Sequence, residues 1–61
     1  MIQDEWILRA LENPDRTEIQ SDGRFRYWKR IPEMDHRILR VIVLEDGTTV
    51  HNAFLDRSAK P

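Results

Sequence analysis

The residues with the clearest chemical potential lie in one stretch, from Arg24 to Ile31, in which apolar and basic side chains alternate. Successive side chains of a β-strand point to opposite faces. The stretch therefore has a mostly apolar face, Phe25, Tyr27, Lys29 and Ile31, and a basic face, Arg24, Arg26, Trp28 and Arg30. Guanidinium groups bind phosphates and a base can stack on an indole, so the basic face is typical of a nucleic-acid-binding surface.

Arg40 extends this prediction to a neighbouring strand. It should point to the same side as Ile38 and Ile42, and the basic cluster gains a member if that side also carries Trp28. An arginine flanked by aliphatic residues in a central strand needs a partner. If its role is structural, Glu18 or Glu45 is the candidate partner.

The charge distribution gives the same arginines an alternative role. The formal net charge is −1, but residues 1–23 hold six acids and two bases whereas residues 24–40 hold six bases and two acids. The basic segment could recruit a polyanion, or it could pair with the acidic first third of the chain. In this structural alternative, which is the default explanation, Trp28 packs under a helix or against a second subunit.

His51 is the candidate catalytic residue. A histidine can act as general acid or base in RNA cleavage while a nearby arginine stabilises the extra phosphate charge. The alternative is a hydrogen-bonded structural histidine. Neither His51 nor His36 has the spacing of a metal motif and the chain has no cysteine, so we expect no metal site and no cofactor.

One helix and four strands must position these residues. An amphipathic helix is predicted at about residues 3–13, with Trp6 as its anchor and Pro14 ending it. Asp22-Gly23 is typical of a two-residue hairpin turn, and Asp46-Gly47 marks a second hairpin. Strands are predicted at about 16–20, 24–31, 37–45 and 48–56, followed by a polar tail at 57–61, with the third strand covered on both sides. The pattern predicts a single α+β domain, residues 1–61, in which one N-terminal helix packs on a four-stranded antiparallel meander sheet.

The small size of the chain favours self-association. A domain of this length buries only about 60% of its unfolded surface, and no disulfide can reinforce it. The last strand is apolar at Val50, Ala53, Phe54 and Leu55, and an apolar edge strand tends to pair with another chain. We therefore expect a homodimer. With 34% charged residues and no long apolar run, we expect no membrane association and a cytoplasmic location.

Several segments together resemble a known family. They are Glu5-Trp6-Ile7, Leu11-Glu12-Asn13-Pro14-Asp15, Asp22-Gly23-Arg24, Tyr27-Trp28, Leu39-Arg40-Val41, Leu44-Glu45-Asp46-Gly47, Val50-His51-Asn52-Ala53-Phe54 and Asp56-Arg57. The chain resembles a widespread uncharacterised bacterial family of small domains of unknown function, similar to RelE- and BrnT-type toxins. The resemblance implies a compact helix-plus-antiparallel-sheet fold, with ribonuclease toxin activity and a protein antitoxin as expectations.

The chain departs from that family at its start. Longer relatives carry a segment with a histidine and an arginine before the helix, whereas this sequence is N-terminally short and begins almost at the helix. If catalysis in the relatives uses that segment, we expect this chain to lack it.

Two hypotheses about function follow. The first is a toxin-like RNA-binding or ribonuclease domain, in which Trp28 is partly exposed beside unpaired arginines. The second is a noncatalytic homodimeric or protein-binding module that uses the sheet face or the edge strand, in which Trp28 is buried and the arginines are paired.

Overall fold

A computed structural model describes residues 2–58. Its elements are α1 (Asp4–Glu12), β1 (Arg16–Ile19), β2 (Phe25–Ile31), a 3₁₀ turn (Pro32–Met34), β3 (Arg37–Val43) and β4 (Val50–Leu55). The strands form one antiparallel sheet in the order β1-β2-β3-β4, and α1 packs on β2 and β3. The predicted α+β class, one helix on an antiparallel meander, is confirmed, and each helix and strand lies within its predicted segment.

The ends of α1 follow from its sequence. Asp4 and Glu5 occupy the first turn, where the helix dipole favours negative charge. At the other end the backbone N–H of Asn13 donates to the Arg9 carbonyl at 3.0 Å, and Pro14 stops further helical bonding. Trp6 and Ala10 are buried against the sheet, so Trp6 anchors the helix as predicted.

The helix covers only one face of the sheet. Under it lie Ile31, Leu39, Val41 and Val43, all less than 2% exposed. The opposite side, here called the helix-free face, carries Arg26, Trp28, Arg30, Ile38, Arg40, Ile42 and Phe54. The expectation that β3 is covered on both sides is therefore wrong: within residues 2–58 no second element lies over the helix-free face. Ile38 is nevertheless only 7% exposed there.

The first hairpin loop is one residue longer than predicted. The backbone N–H of Gln20 donates to the Arg24 carbonyl at 2.7 Å, so the loop is Ser21-Asp22-Gly23 rather than Asp22-Gly23 alone. Gly23 has φ of +89°, a conformation in which glycine is unstrained. A three-residue loop shifts β1 by one position against β2 and places Arg16 opposite Trp28.

A β-bulge sets the register of β4. Near the second turn Val43 pairs with Val50, but one position along the sheet Ile42 pairs with Asn52, which leaves His51 without a partner residue. The extra residue reverses the faces of the rest of the strand. Ala53 and Leu55 thereby join the core under the helix, while Phe54 lies on the helix-free face opposite Arg40.

No helix in the described part of the chain is long and apolar enough to cross a bilayer.

Candidate binding surface on the helix-free face

The structure brings the five predicted nucleic-acid-binding residues to one side of the sheet. Arg26, Trp28 and Arg30 alternate along β2, and Arg24 directly precedes that strand. Arg40 in β3 pairs with Trp28 in the antiparallel register. Alternation was enough to group Arg24, Arg26, Trp28 and Arg30, because β2 contains no bulge in its pairing with β1 or β3. The side that Arg40 takes depends on the register between β2 and β3.

Four side chains form a continuous row across all four strands, here called the arginine-aromatic row: Arg16, Trp28, Arg40 and Phe54. The guanidinium carbon of Arg16 lies 4.9 Å from the centre of the Trp28 ring. That of Arg40 lies 5.6 Å from the Trp28 ring and 5.4 Å from the Phe54 ring. These distances are within cation–π range. As a result Trp28 is only 8% exposed although no helix within residues 2–58 lies over it.

Asp56 bridges the two central members of this row. Its Oδ2 accepts from Trp28 Nε1 at 3.3 Å and from Arg40 Nη1 at 3.2 Å, and its side chain is only 8% exposed. The hydroxyl of Ser58 donates to Asp56 Oδ1 at 2.7 Å. The Ser58 hydroxyl, followed by the donors from Trp28 and Arg40, lowers the pKa of Asp56 to about 2. Asp56 is therefore ionised and charge-paired at neutral pH.

The partner of Arg40 is thus Asp56, and the suggestion of Glu18 or Glu45 is wrong. The cause is the end of β4: the backbone N–H of Asp56 donates to the Ile38 carbonyl at 2.8 Å, which places the carboxylate beside β3. Arg40 Nε is buried and has no hydrogen-bond partner among residues 2–58. Within the Arg40 guanidinium, Nη1 therefore has a hydrogen-bond partner, whereas Nε has none in the described chain.

Of the remaining arginines on this face, Arg16, Arg24 and Arg26 pair with acids near the strand ends. Glu18 lies beside both Arg16 and Arg26, the latter at 3.8 Å. With its oxygen toward Arg26, the amide of Gln20 also accepts from Nη2 at 2.8 Å.

Arg24 lies 3.4 Å from Glu45 and 3.8 Å from Asp22. The guanidinium of Arg30 is exposed and makes no ion pair in the described chain, although its backbone N–H donates to Asp15 at 2.8 Å.

The acids of the helix lie away from this surface. Asp4, Glu5 and Glu12 belong to α1, which packs on the opposite face. Arg9, also on α1, pairs with Glu33 at 2.9 Å and Glu5 at 3.4 Å, and this arginine lowers the pKa of Glu33 to about 2. Of the acids in the first third, Glu18 and Asp22 pair with the arginines of this surface and Asp15 pairs with Lys29 at 3.4 Å, whereas the three acids of α1 lie on the other side of the sheet.

His51 occupies the bulge, and its side chain is exposed. Within residues 2–58 no hydrogen bond or ion pair orients its ring. Asn52, the next residue, uses its side-chain oxygen to accept from the backbone N–H of Ala53 at 2.9 Å. The catalytic role of His51 remains a prediction. In the same part of the chain no three acidic or histidine side chains come together as a metal site would require.

Three members of this surface were not predicted from the sequence: Arg16, Phe54 and Asp56. For Arg16 the available signal was the Asp22-Gly23 turn, but the two-residue loop that it suggests would place Lys29, not Trp28, opposite Arg16. Phe54 and Asp56 depend on the bulge at His51, for which the sequence carries no local signal.

No family model, curated protein or solved structure shows significant similarity to this chain.

Proposed function

We propose that this chain is a small cytoplasmic RNA-binding domain of the toxin-like kind, with the helix-free face as its contact surface. The observation that carries the proposal is a set of arginines on the side of the sheet that no helix of the described chain covers: Arg16, Arg24, Arg26, Arg30 and Arg40. A positively charged surface with aromatic side chains is the common arrangement for binding single-stranded RNA.

The outer arginines are accessible to phosphate. The side chain of Arg16 is 67% exposed and that of Arg26 is 33% exposed, and Arg30 is exposed without an ion pair in the described chain. Exposed ion pairs contribute only about 0–1 kcal/mol. Phosphate groups can therefore take the place of Glu18 beside Arg16 and Arg26 at little cost.

The expectation that Trp28 is partly exposed beside unpaired arginines is wrong, since Trp28 is 8% exposed and four of the five arginines are paired. Trp28 therefore has a different role in this proposal from the one its sequence suggests. Its ring is covered by Arg16, so a base stacks on the Arg16 guanidinium or on the indole after Arg16 swings aside. Both are known modes of base recognition. Arg40 and Asp56 hold the indole from the other side and fix its position.

Binding rather than cleavage is the activity that these contacts support. A general base must be held within hydrogen-bond reach of the proton that it removes. No contact in the described chain holds His51 in this way, so a ribonuclease activity needs the RNA itself, or an antitoxin or other partner, to order that side chain.

The test is fluorescence anisotropy with a labelled single-stranded RNA at low and moderate salt. We expect binding at low salt and at least a tenfold weaker affinity when Arg26 and Arg30 are both replaced by alanine. The slope of log affinity against log salt should fall by about 0.7 for each phosphate that the variant no longer binds. Arg9→Gln is the matched control, because Arg9 is an arginine on the helix side of the sheet.

Absence of binding at low salt, or an equally weakened affinity in the Arg9→Gln control, would reject the proposal. Incubating the same RNA with wild-type protein and with His51→Ala, followed by gel analysis, shows whether the bound RNA is also cut.

A second candidate function is a noncatalytic protein-binding module that uses the same face. It is favoured by the burial of Trp28 and by the pairing of four of the five arginines. Arginine and tryptophan are both enriched in protein interfaces. Two results together would support this candidate over the first: tight binding of a purified antitoxin-like protein, and no measurable affinity of the chain for RNA at low salt.

A further inference from the structure

The edge of the sheet formed by β4 differs in chemistry from the edge formed by β1. The strand Val50–Leu55 contains no acid and no lysine or arginine, and Val50 is 39% exposed with Ala53, Phe54 and Leu55 half-buried. The strand Arg16–Ile19 carries Arg16 and Glu18. Charges discourage an edge strand from pairing with another chain, and apolar edges invite it.

The direction of the backbone groups on β4 follows from its last bond to β3. The N–H of Asp56 donates to the Ile38 carbonyl. In an antiparallel pair, hydrogen-bonded residues alternate with residues whose N–H and C=O point away. Phe54 and Asn52 therefore bond to β3, and the backbone groups of Ala53 and Leu55 point outward from the sheet.

These outward groups favour one register for a second copy of β4. An antiparallel pair centred on Phe54 places Ala53 opposite the second copy's Leu55, and symmetry repeats that pair. This register uses all four outward groups of both residues, and it sets Phe54 against Phe54 on the helix-free face. Centring the pair on Ala53 would oppose Phe54 with Asn52, and centring it on Leu55 would oppose Phe54 with Asp56.

We propose that a second copy of this chain pairs with the β4 edge, with the two-fold axis at Phe54. The two sheets then join into eight strands, with both helices on one side. The arginine-aromatic row continues from one chain into the other through the two Phe54 rings, so the two basic surfaces become one. The proposal does not depend on RNA binding, since the pairing uses the edge and the RNA proposal uses the face.

One contact weakens this dimer. The side-chain oxygen of Asn52 accepts from the Ala53 N–H at 2.9 Å, and this bond must open before Ala53 can donate to a second chain. The pairing segment is also short. We therefore expect a monomer-dimer equilibrium that responds to protein concentration rather than a permanent dimer.

Cysteine cross-linking tests the register directly, because the chain has no cysteine of its own. Directly opposed residues that are not hydrogen-bonded have Cα atoms about 4.5 Å apart, within the range of about 4.4–6.8 Å that a disulfide can span. Mild oxidation of Phe54→Cys should give mostly covalent dimer, whereas Ile19→Cys, exposed on the other edge, should stay mostly monomeric. Equal cross-linking of the two variants would overturn the proposal.

A second pair of variants tests the edge without a cross-link. Proline is tolerated where an edge N–H points outward, and it removes that donor. Ala53→Pro should weaken association at least tenfold in sedimentation velocity, and Thr17→Pro, the same change at an outward position of β1, should leave it unchanged. Wild-type protein that remains monomeric at high micromolar concentration would also reject the dimer. Both measurements are made without RNA, so their failure is distinct from a failure of RNA binding.

Discussion

The two faces of the sheet bury their central residues by different means. On the covered face Leu39 and Val41 are fully buried because α1 lies over them. On the helix-free face Trp28 is 8% exposed with no helix or strand of the described chain above it, because Arg16 and Arg40 lie against its ring. Burial on the first face requires the helix to fold and dock. Burial on the helix-free face requires only that the long arginine side chains lie against the indole ring.

This difference separates stability from recognition. Removing the helix would expose the apolar core, which the small domain cannot tolerate. Moving Arg16, whose side chain is 67% exposed, away from Trp28 breaks one cation–π contact and the ion pair with Glu18, and interactions of an exposed arginine contribute about 0–1 kcal/mol each. The helix-free face can therefore adapt to a partner while the fold stays intact.

The largest predicted effect lies on the covered face. Leu39→Ala removes a fully buried side chain, and such substitutions cost about 2–5 kcal/mol. A single core of this size supplies about 3–5 kcal/mol of net stability. We expect the variant to be largely unfolded at room temperature by circular dichroism. A free energy of unfolding within about 1 kcal/mol of wild type would show that the helix-covered core is not what holds the fold.

Asp56→Asn should give the next largest effect, because it removes the charge that pairs with Arg40. We expect the free energy of unfolding to fall by about 1–3 kcal/mol at pH 7 in urea denaturation. The pKa of Asp56 is about 2 in the folded chain, below its ordinary value. The stability from its ionised form is therefore present above pH ~4 and is lost as the pH falls toward ~2.

The difference between wild type and Asp56→Asn should accordingly shrink as the pH falls from about 4 to about 2. Glu33 and Asp46 titrate in the same range, each with a pKa of about 2, but they are present in both proteins and cancel in the comparison. A deficit that stays constant down to pH 2 would contradict the pairing of Arg40 with Asp56.

Arg16→Gln should change the solvent exposure of Trp28 far more than the free energy of unfolding. We expect the free energy of unfolding to move by less than about 1 kcal/mol, while acrylamide quenches Trp28 fluorescence more strongly. Subtracting the signal of Trp28→Phe removes the contribution of Trp6. Arg26→Gln is the control, since Arg26 is absent from the cation–π contacts with Trp28. Equal quenching in all three proteins would mean that Arg16 does not shield the ring.

The smallest effect is expected at Leu8, a large apolar residue of α1 that is 56% exposed. Leu8→Gln should leave the free energy of unfolding within about 0.5 kcal/mol of wild type. Thermal unfolding followed by circular dichroism is sufficient to detect a larger change. A clear destabilisation would show that the outer side of α1 packs against a second molecule in solution.

Much of this architecture could be predicted from the sequence because the relevant signals are local. Alternation along β2 divided its side chains correctly between two faces, and the spacing of Trp6 and Ala10 identified the buried side of α1. Both inferences need only the periodicity of one element. The sequence left open whether Arg40 lies on the side of Trp28, and the uninterrupted pairing of β2 with β3 places it there.

The interactions that sequence reasoning missed all depend on register between strands. A loop one residue longer than expected brought Arg16, rather than a neighbour, opposite Trp28. If the register of Val43 and Val50 continued unchanged, Phe54 would lie opposite Leu39 in the core and Asn52 opposite Val41. The bulge avoids burying the Asn52 amide among aliphatic side chains. That preference is set by the whole sheet, so no short segment reveals it.

The bulge also leaves one residue of β4 that takes no part in the pairing of the strands. Of the six residues in β4, only His51 has no partner in β3. Deleting it would restore an uninterrupted ladder in which every other pair, from Val43 with Val50 to Leu39 with Leu55, is retained. The fold thus contains a residue that its own pairing does not require, and a protein shortened by that residue would distinguish what the chain needs in order to fold from what it needs in order to act.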